Sequence, residues 1–259
     1  MPKVITIFPE SGLFDCFLLK SNQTSLGKYA ISSMTLEYPK PFLTVDVVLL
    51  TLIDGVLHCG LLRRENPAEV YFGAWSLPGG FIRPQEDEDA MATATRVLRD
   101  KVGVASPYLE QLGTFTGSAR DPRGWSASIA YYALVPAHIA PENSEHFEWR
   151  NIEDVQSMTL PFDHSYIVQQ AISRVQSKTS YSTLPLYLMP ELFSLTQLRT
   201  VYEQVLGGSL EPRGFNRRML EMGVLEETDQ KQSEGFRPAR LYRKLTRKLQ
   251  ESAGVFQPQ

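Results

Sequence analysis

The sequence predicts an α/β protein in two parts: a sandwich built on one mixed sheet, then a small helical unit closed by a β-hairpin. Three observations carry this prediction. Strand-like and helical runs follow one another in the order β-β-α-β-β-α between about residues 44 and 176. A Ser-, Thr- and Pro-bearing stretch without helical period follows them. Beyond it the charge changes sign: residues 191–259 hold 11 Lys and Arg against 9 acids, net +2, whereas residues 1–190 hold 15 against 20, net −5.

The elements justify themselves in order. Residues 1–37 mix short apolar runs with Ser, Asn and Gly and carry no motif, so they are taken as an N-terminal extension. TVDVVLLTL (44–52), the turn Asp54-Gly55 and VLHCGLLRR (56–64) read as two strands joined by a tight hairpin. A loop closes in WSLPGGF (75–81). A helix is expected from about Glu86 to Val102, with Ala90, Ala94, Val97 and Leu98 at helical spacing and Gly103 where a C-terminal cap belongs. YLEQLGTFTG (108–117) and WSASIAYYALVP (125–136) read as strands, and PFDHSYIVQQAISRVQ (161–176) as a closing helix. This first domain spans 38–178, and residues 179–190, in the stretch SKTSYSTLPLYLMP (177–190), are expected to be a linker.

The second domain, 191–250, opens with a capping box, Ser194 and Gln197, and a helix with Leu195, Leu198, Val201, Tyr202 and Val205 on its apolar face. A second helix starts near Pro212, which suits a first turn because its missing N–H would have no partner there. Phe215, Met219 and Met222 share one of its faces, and Arg213 and Arg217 point the other way. A short strand from Val224 to Glu227, a polar loop around Asp229 to Gly235, and FRPARLYRKLTRK (236–248), with six basic residues and no acid, complete it. Helix, Gly turn, cationic helix and a hairpin with a basic second strand is the layout of a winged helix-turn-helix, whose partner is double-stranded DNA. An Arg-bearing amphipathic helix on its own is usually just a solvated face.

Composition excludes several classes. Apolar residues at 42% and charged residues at 21% rule out a disordered chain. Two cysteines cannot build a disulfide framework or a four-cysteine zinc site, which points to a reducing compartment. No run approaches the roughly 18–20 apolar residues of a membrane span, so no membrane partner is expected and the location is cytoplasmic, on the nucleoid when DNA is bound.

WSLPGGF, the acidic stretch after it and a helix ending in Gly103-Val104 resemble the signature of the Nudix family of nucleoside-diphosphate hydrolases, G-x5-E-x7-R-E-U-x-E-E-x-G-U, with U aliphatic. Gly80 and Glu86 keep the first spacing; Arg96, Leu98, Gly103 and Val104 keep the second part, after an interval two residues longer than the signature. The resemblance implies a Nudix-like α/β/α sandwich. The family's three glutamates hold a divalent cation that activates water. Here those positions read Val97, Asp100 and Lys101, and an ammonium repels a metal ion at close range. Neither a catalytic residue nor a metal site is therefore assigned, and hydrolysis is not expected to be efficient. Glu86, Asp87, Glu88 and Asp89 have the chemistry of a displaced metal site, but acids in a first helical turn complement its dipole without any metal.

The pocket is the feature this fold is expected to keep. Arg120-Asp121-Pro122-Arg123-Gly124 resembles the corresponding loop of ADP-ribose-recognising Nudix domains. Arg120 and Arg123 suit phosphate oxygens and Asp121 suits ribose hydroxyls, although a charged surface loop would use the same residue types. Arg63, Arg64, Phe81 and Arg83 complete the ligand-binding candidates.

A Nudix-like domain with altered catalytic positions, joined to a winged helix, resembles the bacterial Nudix-related transcriptional regulators of the NrtR type, over about residues 38–247. That resemblance implies a homodimeric repressor of NAD or related nucleotide metabolism. It would bind a palindromic operator, be released by ADP-ribose or a related nucleotide as effector, and require no cofactor. Carried over by position, Arg213, Asn216, Arg217 and Arg218 are candidates to face the DNA groove, and Arg237, Arg240 and Arg243 are candidates for the wing. Two other functions stay open at this point: an active ADP-ribose pyrophosphatase with an accessory domain, and a scaffold that binds a partner and no nucleotide.

Overall fold

In a computed structural model, the described residues are 40–106, 108–232, 239–245, 249–252 and 256–258; the 1–37 extension and Arg237 lie outside them. Strand β1 (Phe42–Ile53) turns into β2 (Val56–Arg63) through Asp54 and Gly55, both left-handed at φ 51° and 75°. Two positive φ angles are what a tight two-residue hairpin turn requires, which is why Asp-Gly was so readable. β1 is buried along nearly its whole length because it sits mid-sheet, between β2 and, in parallel register, β6 (Ser126–Leu134). An interior strand covered on both faces needs an almost unbroken apolar run, and residues 44–52 supply it.

β5 (Tyr108–Gly117) pairs with β6 in antiparallel fashion, and three short strands complete a seven-stranded mixed sheet: β3 (Trp75–Ser76), β4 (Gly79–Phe81) and β7 (Phe147–Asn151). None of the three was expected from sequence. Helices cover both faces. On one, Val48, Leu50 and Leu52 pack with Ile167, Val168, Ala171, Ile172 and Val175 of a helix at His164–Tyr181; on the other, Val45, Val47 and Leu49 pack with Ala94 and Leu98. The expected α/β/α sandwich is the architecture found.

Helix α1 spans Ala90–Val97 and runs on through one widened π-turn, Leu98–Val102, to a left-handed Gly103. It begins four residues later than expected, because Asp89 caps it by accepting from the Ala92 N–H at 2.7 Å. The acids before it therefore do not form a dipole-facing first turn. Asp87 instead turns inward onto Arg96 at 2.7 Å, while Glu86 pairs with Arg83 at the surface. α2 (Ile152–Ser157) and α3 (His164–Tyr181) follow β7.

The stretch expected to be a linker is core. α3 continues to Tyr181, and Ser182 to Met189 are all buried. Leu184, Tyr187 and Leu188 face the sandwich core, whereas Leu186 and Met189 face the core of the second domain. Apolar side chains divided between the two cores thus pin both domains to one segment. Its Ser, Thr and Pro content hid this; Ser182 and Thr183 satisfy backbone groups at the end of α3 and of the C-terminal segment.

In the second domain, α4 (Leu195–Leu206) carries the expected capping box, with Ser194 and Gln197 bonded reciprocally, and stops at left-handed Gly207. α5 (Pro212–Glu221) is capped by the Glu211 carboxylate, which accepts from Arg213 and Gly214. β8 (Leu225–Gln232) and β9 (Ala239–Lys244) form the hairpin, with β8 running on through 229–232, the first part of the stretch expected to be loop; 233–235 lie outside the described residues. Leu198, Tyr202, Phe215 and Met219 make the core, and Phe256, beyond the expected boundary at 250, packs among them. This is the winged helix-turn-helix layout.

Candidate ligand pocket and nucleic-acid interface

A cavity of about 360 Å³ opens at the end of the sheet where β1, β2 and β4 meet the start of α3. This falls within the usual size range of small-molecule sites, about 300–1,000 Å³. Arg63, Arg64, Phe81, Arg120, Asp121 and Arg123 line it as expected. Arg83 does not: it lies outside, held on Glu86 at 2.8 Å.

Beneath the cavity lies a buried network that the sequence reading missed. Asp46 accepts from the Ser128 hydroxyl at 2.6 Å and has Arg120 at 3.5 Å. Arg120 lies with two nitrogens on Asp163, at 2.8 and 3.0 Å. The Leu77 N–H donates to His164 Nδ1 at 3.1 Å, which leaves Nε2 as the N–H facing Asp46 at 3.5 Å. Burial pushes the Asp46 carboxyl up, but His164, Ser128 and Arg120 together outweigh it and hold it below the usual carboxylate range. A lone acid within the apolar run of β1 was the signal that could have found this network. Gly79 closes over it: a methyl group there would stand 2.2 Å from Asp46 Oδ1, so no larger residue fits.

The loop at 120–124 is assembled differently from expectation. Asp121 is buried and spends its carboxylate on Arg123, which reaches it through the backbone N–H at 3.0 Å and the guanidinium at 2.7 Å. Burial raises the Asp121 pKa, but the Arg123 hydrogen bonds and charge lower it further, to below the ordinary value. Its oxygens are therefore committed to Arg123 and not presented to a sugar. Arg123 is in turn held near the rings of Phe81, Phe42 and Phe162, at 5.1, 5.6 and 5.8 Å from their centroids. Phe162 and Tyr71 touch edge to face at the same mouth, each in a left-handed backbone conformation that non-glycine residues seldom adopt. Cation and aromatic walls side by side suit a flat, anionic ligand.

On the second domain, Arg213 and Arg217 of α5 are exposed, opposite buried Phe215 and Met219. Asn216 and Arg218 do not join them. Asn216 is half-buried with its Oδ1 enclosed, and Arg218 lies over the Phe256 ring at 4.8 Å. In the wing, Arg240 and Arg243 are ion-paired across the hairpin with Glu227 and Glu226. The sequence shows six basic residues and no acid over 236–248; for Arg240 and Arg243 the acids are on the facing strand.

Two family models match the chain: a NUDIX domain over residues 42–171 and the NrtR DNA-binding winged helix domain over residues 185–244. The ADPR responsive transcriptional repressor NtrR of Acinetobacter baylyi is 44% identical over 227 residues, covering 86% of this chain and 88% of that protein. The chain belongs to the NrtR family. The crystal structure of Shewanella oneidensis NrtR complexed with a 27mer DNA superimposes with a TM-score of 0.77 at 34% identity, covering 83% of this chain and 99% of that one. An ADP-ribose pyrophosphatase of Methanocaldococcus jannaschii is 27% identical over 128 residues, 45% of this chain and 69% of that protein.

In this NrtR-family chain the positions of the three Nudix glutamates do not fit a divalent cation. Val97 is fully buried and apolar. Asp100 faces outward onto Arg99 at 2.7 Å, and Lys101 donates its ammonium to the Gly79 carbonyl at 2.6 Å. Among the described residues no three His, Cys, Asp or Glu side chains converge as a metal cage. No helix among them is long and apolar enough to cross a membrane.

Proposed function

We propose that this protein is a transcriptional repressor that holds operator DNA through α5 and the wing and lets go when ADP-ribose, or a related nucleotide, fills the cavity. The observation that carries the reading is the placement of α3. Its first residue, His164, lines the pocket, and Asp163, just before it, holds the pocket residue Arg120. Its far end meets the DNA-binding domain, where Tyr202 of α4 donates to the Ser182 carbonyl at 2.8 Å. One helix thus has an end at each site, and a ligand that draws Arg120 away from Asp163 acts on the helix that carries the winged domain. The effector must bind the DNA-incompetent arrangement more tightly, since equal affinity for both would shift nothing.

The likeness to a repressor named for its response to ADPR supports ADP-ribose as the effector. We take the working form to be a homodimer on a palindromic site, regulating NAD or related nucleotide metabolism, and not an enzyme. A mobility-shift assay on the promoter region of the protein's own operon tests the DNA half: affinity should fall steeply with salt, because phosphate contacts release counterions. Undetectable or salt-independent binding would reject it.

The second reading, hydrolysis of ADP-ribose, draws on the similarity to the pyrophosphatase. Lys101 argues against it by standing where a cation ligand belongs. Mg²⁺-dependent release of AMP at enzyme-like rates would promote it over the first.

A further inference from the structure

Each acid that lines the cavity has a polar partner, whereas two of the lining cations have no carboxylate in ion-pair reach among the described residues. Its four lining acids each have a partner: Asp46 with Ser128, His164 and Arg120, Glu65 with His146, Glu69 with Arg64 at 2.7 Å, and Asp121 with Arg123. Among the described lining residues, the cations left without a carboxylate in ion-pair reach are Arg63 and Lys101. Arg63 is exposed at the end of β2. Lys101 is fixed: its Nζ is docked on the Gly79 carbonyl at 2.6 Å, and a methyl group on Gly80 would stand 3.9 Å from it. One hydrogen bond to a neutral carbonyl leaves two ammonium protons and the whole charge unspent.

We infer that Lys101 is a ligand-binding residue, a tethered cation that receives the diphosphate of the nucleotide directly, so that capture needs no divalent metal. Nudix chemistry places a metal between acids and diphosphate, and this chain has replaced both acid and metal by one side chain. Lys101 is exposed as a residue, yet loss of water around its ammonium pulls its pKa below the usual lysine range, as expected for a charge awaiting a counterion. The widened turn at Leu98–Val102 that carries Lys101 is a type of helix defect frequent at functional sites.

The inference rests on the cavity being the nucleotide site, and the test separates the two. Titration calorimetry of the full chain would use ADP-ribose and, separately, inorganic pyrophosphate, each in EDTA and in Mg²⁺. The wild-type protein should bind ADP-ribose with the same affinity in both buffers. Lys101→Met should weaken binding of both ligands by about tenfold or more, the loss of a charge-assisted contact. Lys101→Glu should bind poorly in EDTA and recover in Mg²⁺, a response that a purely structural lysine would not give. Both variants should keep the wild-type melting temperature, which guards against misfolding. Wild-type binding that requires Mg²⁺, or a Lys101→Met variant that binds as the wild type does, would overturn the inference. Lys101-dependent capture of pyrophosphate without any affinity for ADP-ribose would uphold it while rejecting ADP-ribose as effector. Binding of neither ligand would reject both.

Discussion

Replacing Arg217 by alanine separates DNA binding from stability. The Arg217 side chain is 78% exposed, and its nearest acid, Glu221, lies 3.9 Å away and is itself 69% exposed. An exposed pair of this i,i+4 kind stabilises by about 0.3–0.5 kcal/mol, and alanine's better helix propensity offsets much of that. A ΔΔG so small moves the melting temperature of a chain this size by about 2 °C at most. On DNA the same change removes one cation per bound chain. If that cation meets a phosphate, the slope of log affinity against log salt falls by about 0.9 per bound chain, and a base contact would cost about 1–3 kcal/mol. Fluorescence anisotropy of a labelled operator across a salt series, with a thermal melt of the same sample, reads both quantities. Arg218→Ala is the counterpart: its guanidinium covers Phe256, so it should lower the melting temperature and leave the salt slope nearly unchanged. An Arg217→Ala protein with unaltered affinity and slope would show that α5 does not enter the DNA, and a large fall in stability would show that its exposed face is misassigned.

Two further outcomes follow from the buried polar groups. Tyr202→Phe removes the hydrogen bond to the Ser182 carbonyl, which leaves a buried acceptor unpaired; it should cost about 1–3 kcal/mol in chemical denaturation and blunt ADP-ribose-driven release from DNA more than it blunts ADP-ribose binding. On acidification, Asp46, Asp87 and Asp121 all have folded-state pKa values below the ordinary 3.8, so their contribution is present above that value and is lost as pH falls through the lower folded values. Melting temperature measured against pH should therefore stay level near neutrality and drop below about pH 4.

Much of the fold was legible because it rests on local periodicity. The β1–β2 hairpin was written in Asp54-Gly55 between apolar runs, and α4 in its capping box. β3 and β4, of two and three residues, are too short to show an alternation, and they exist because neighbouring strands offer them partners. The segment 182–189 misled because its composition suits a linker, while its Leu, Tyr and Met side chains are divided between two different cores. At the site, residue types singled out the Arg-rich loop and the replacement of the Nudix glutamates by Val97, Asp100 and Lys101. They could not show which cations were already spent. That Arg240 and Arg243 are met by Glu227 and Glu226, and that Asp46 and His164 lie under the pocket, depends on long-range packing, whereas the capture of Asp121 by Arg123, two residues on, depends on how the loop itself turns.

On the proposed function, occupancy of the sandwich pocket controls the grip of the winged helix on DNA. The direct measurement is anisotropy of a preformed complex between the full-length protein and its labelled operator, titrated with ADP-ribose in EDTA while intact ADP-ribose is followed by chromatography. The DNA should be released as ADP-ribose saturates the protein, with the nucleotide recovered uncleaved. A complex that persists at saturating ADP-ribose, or one that dissociates only as AMP accumulates, would contradict it.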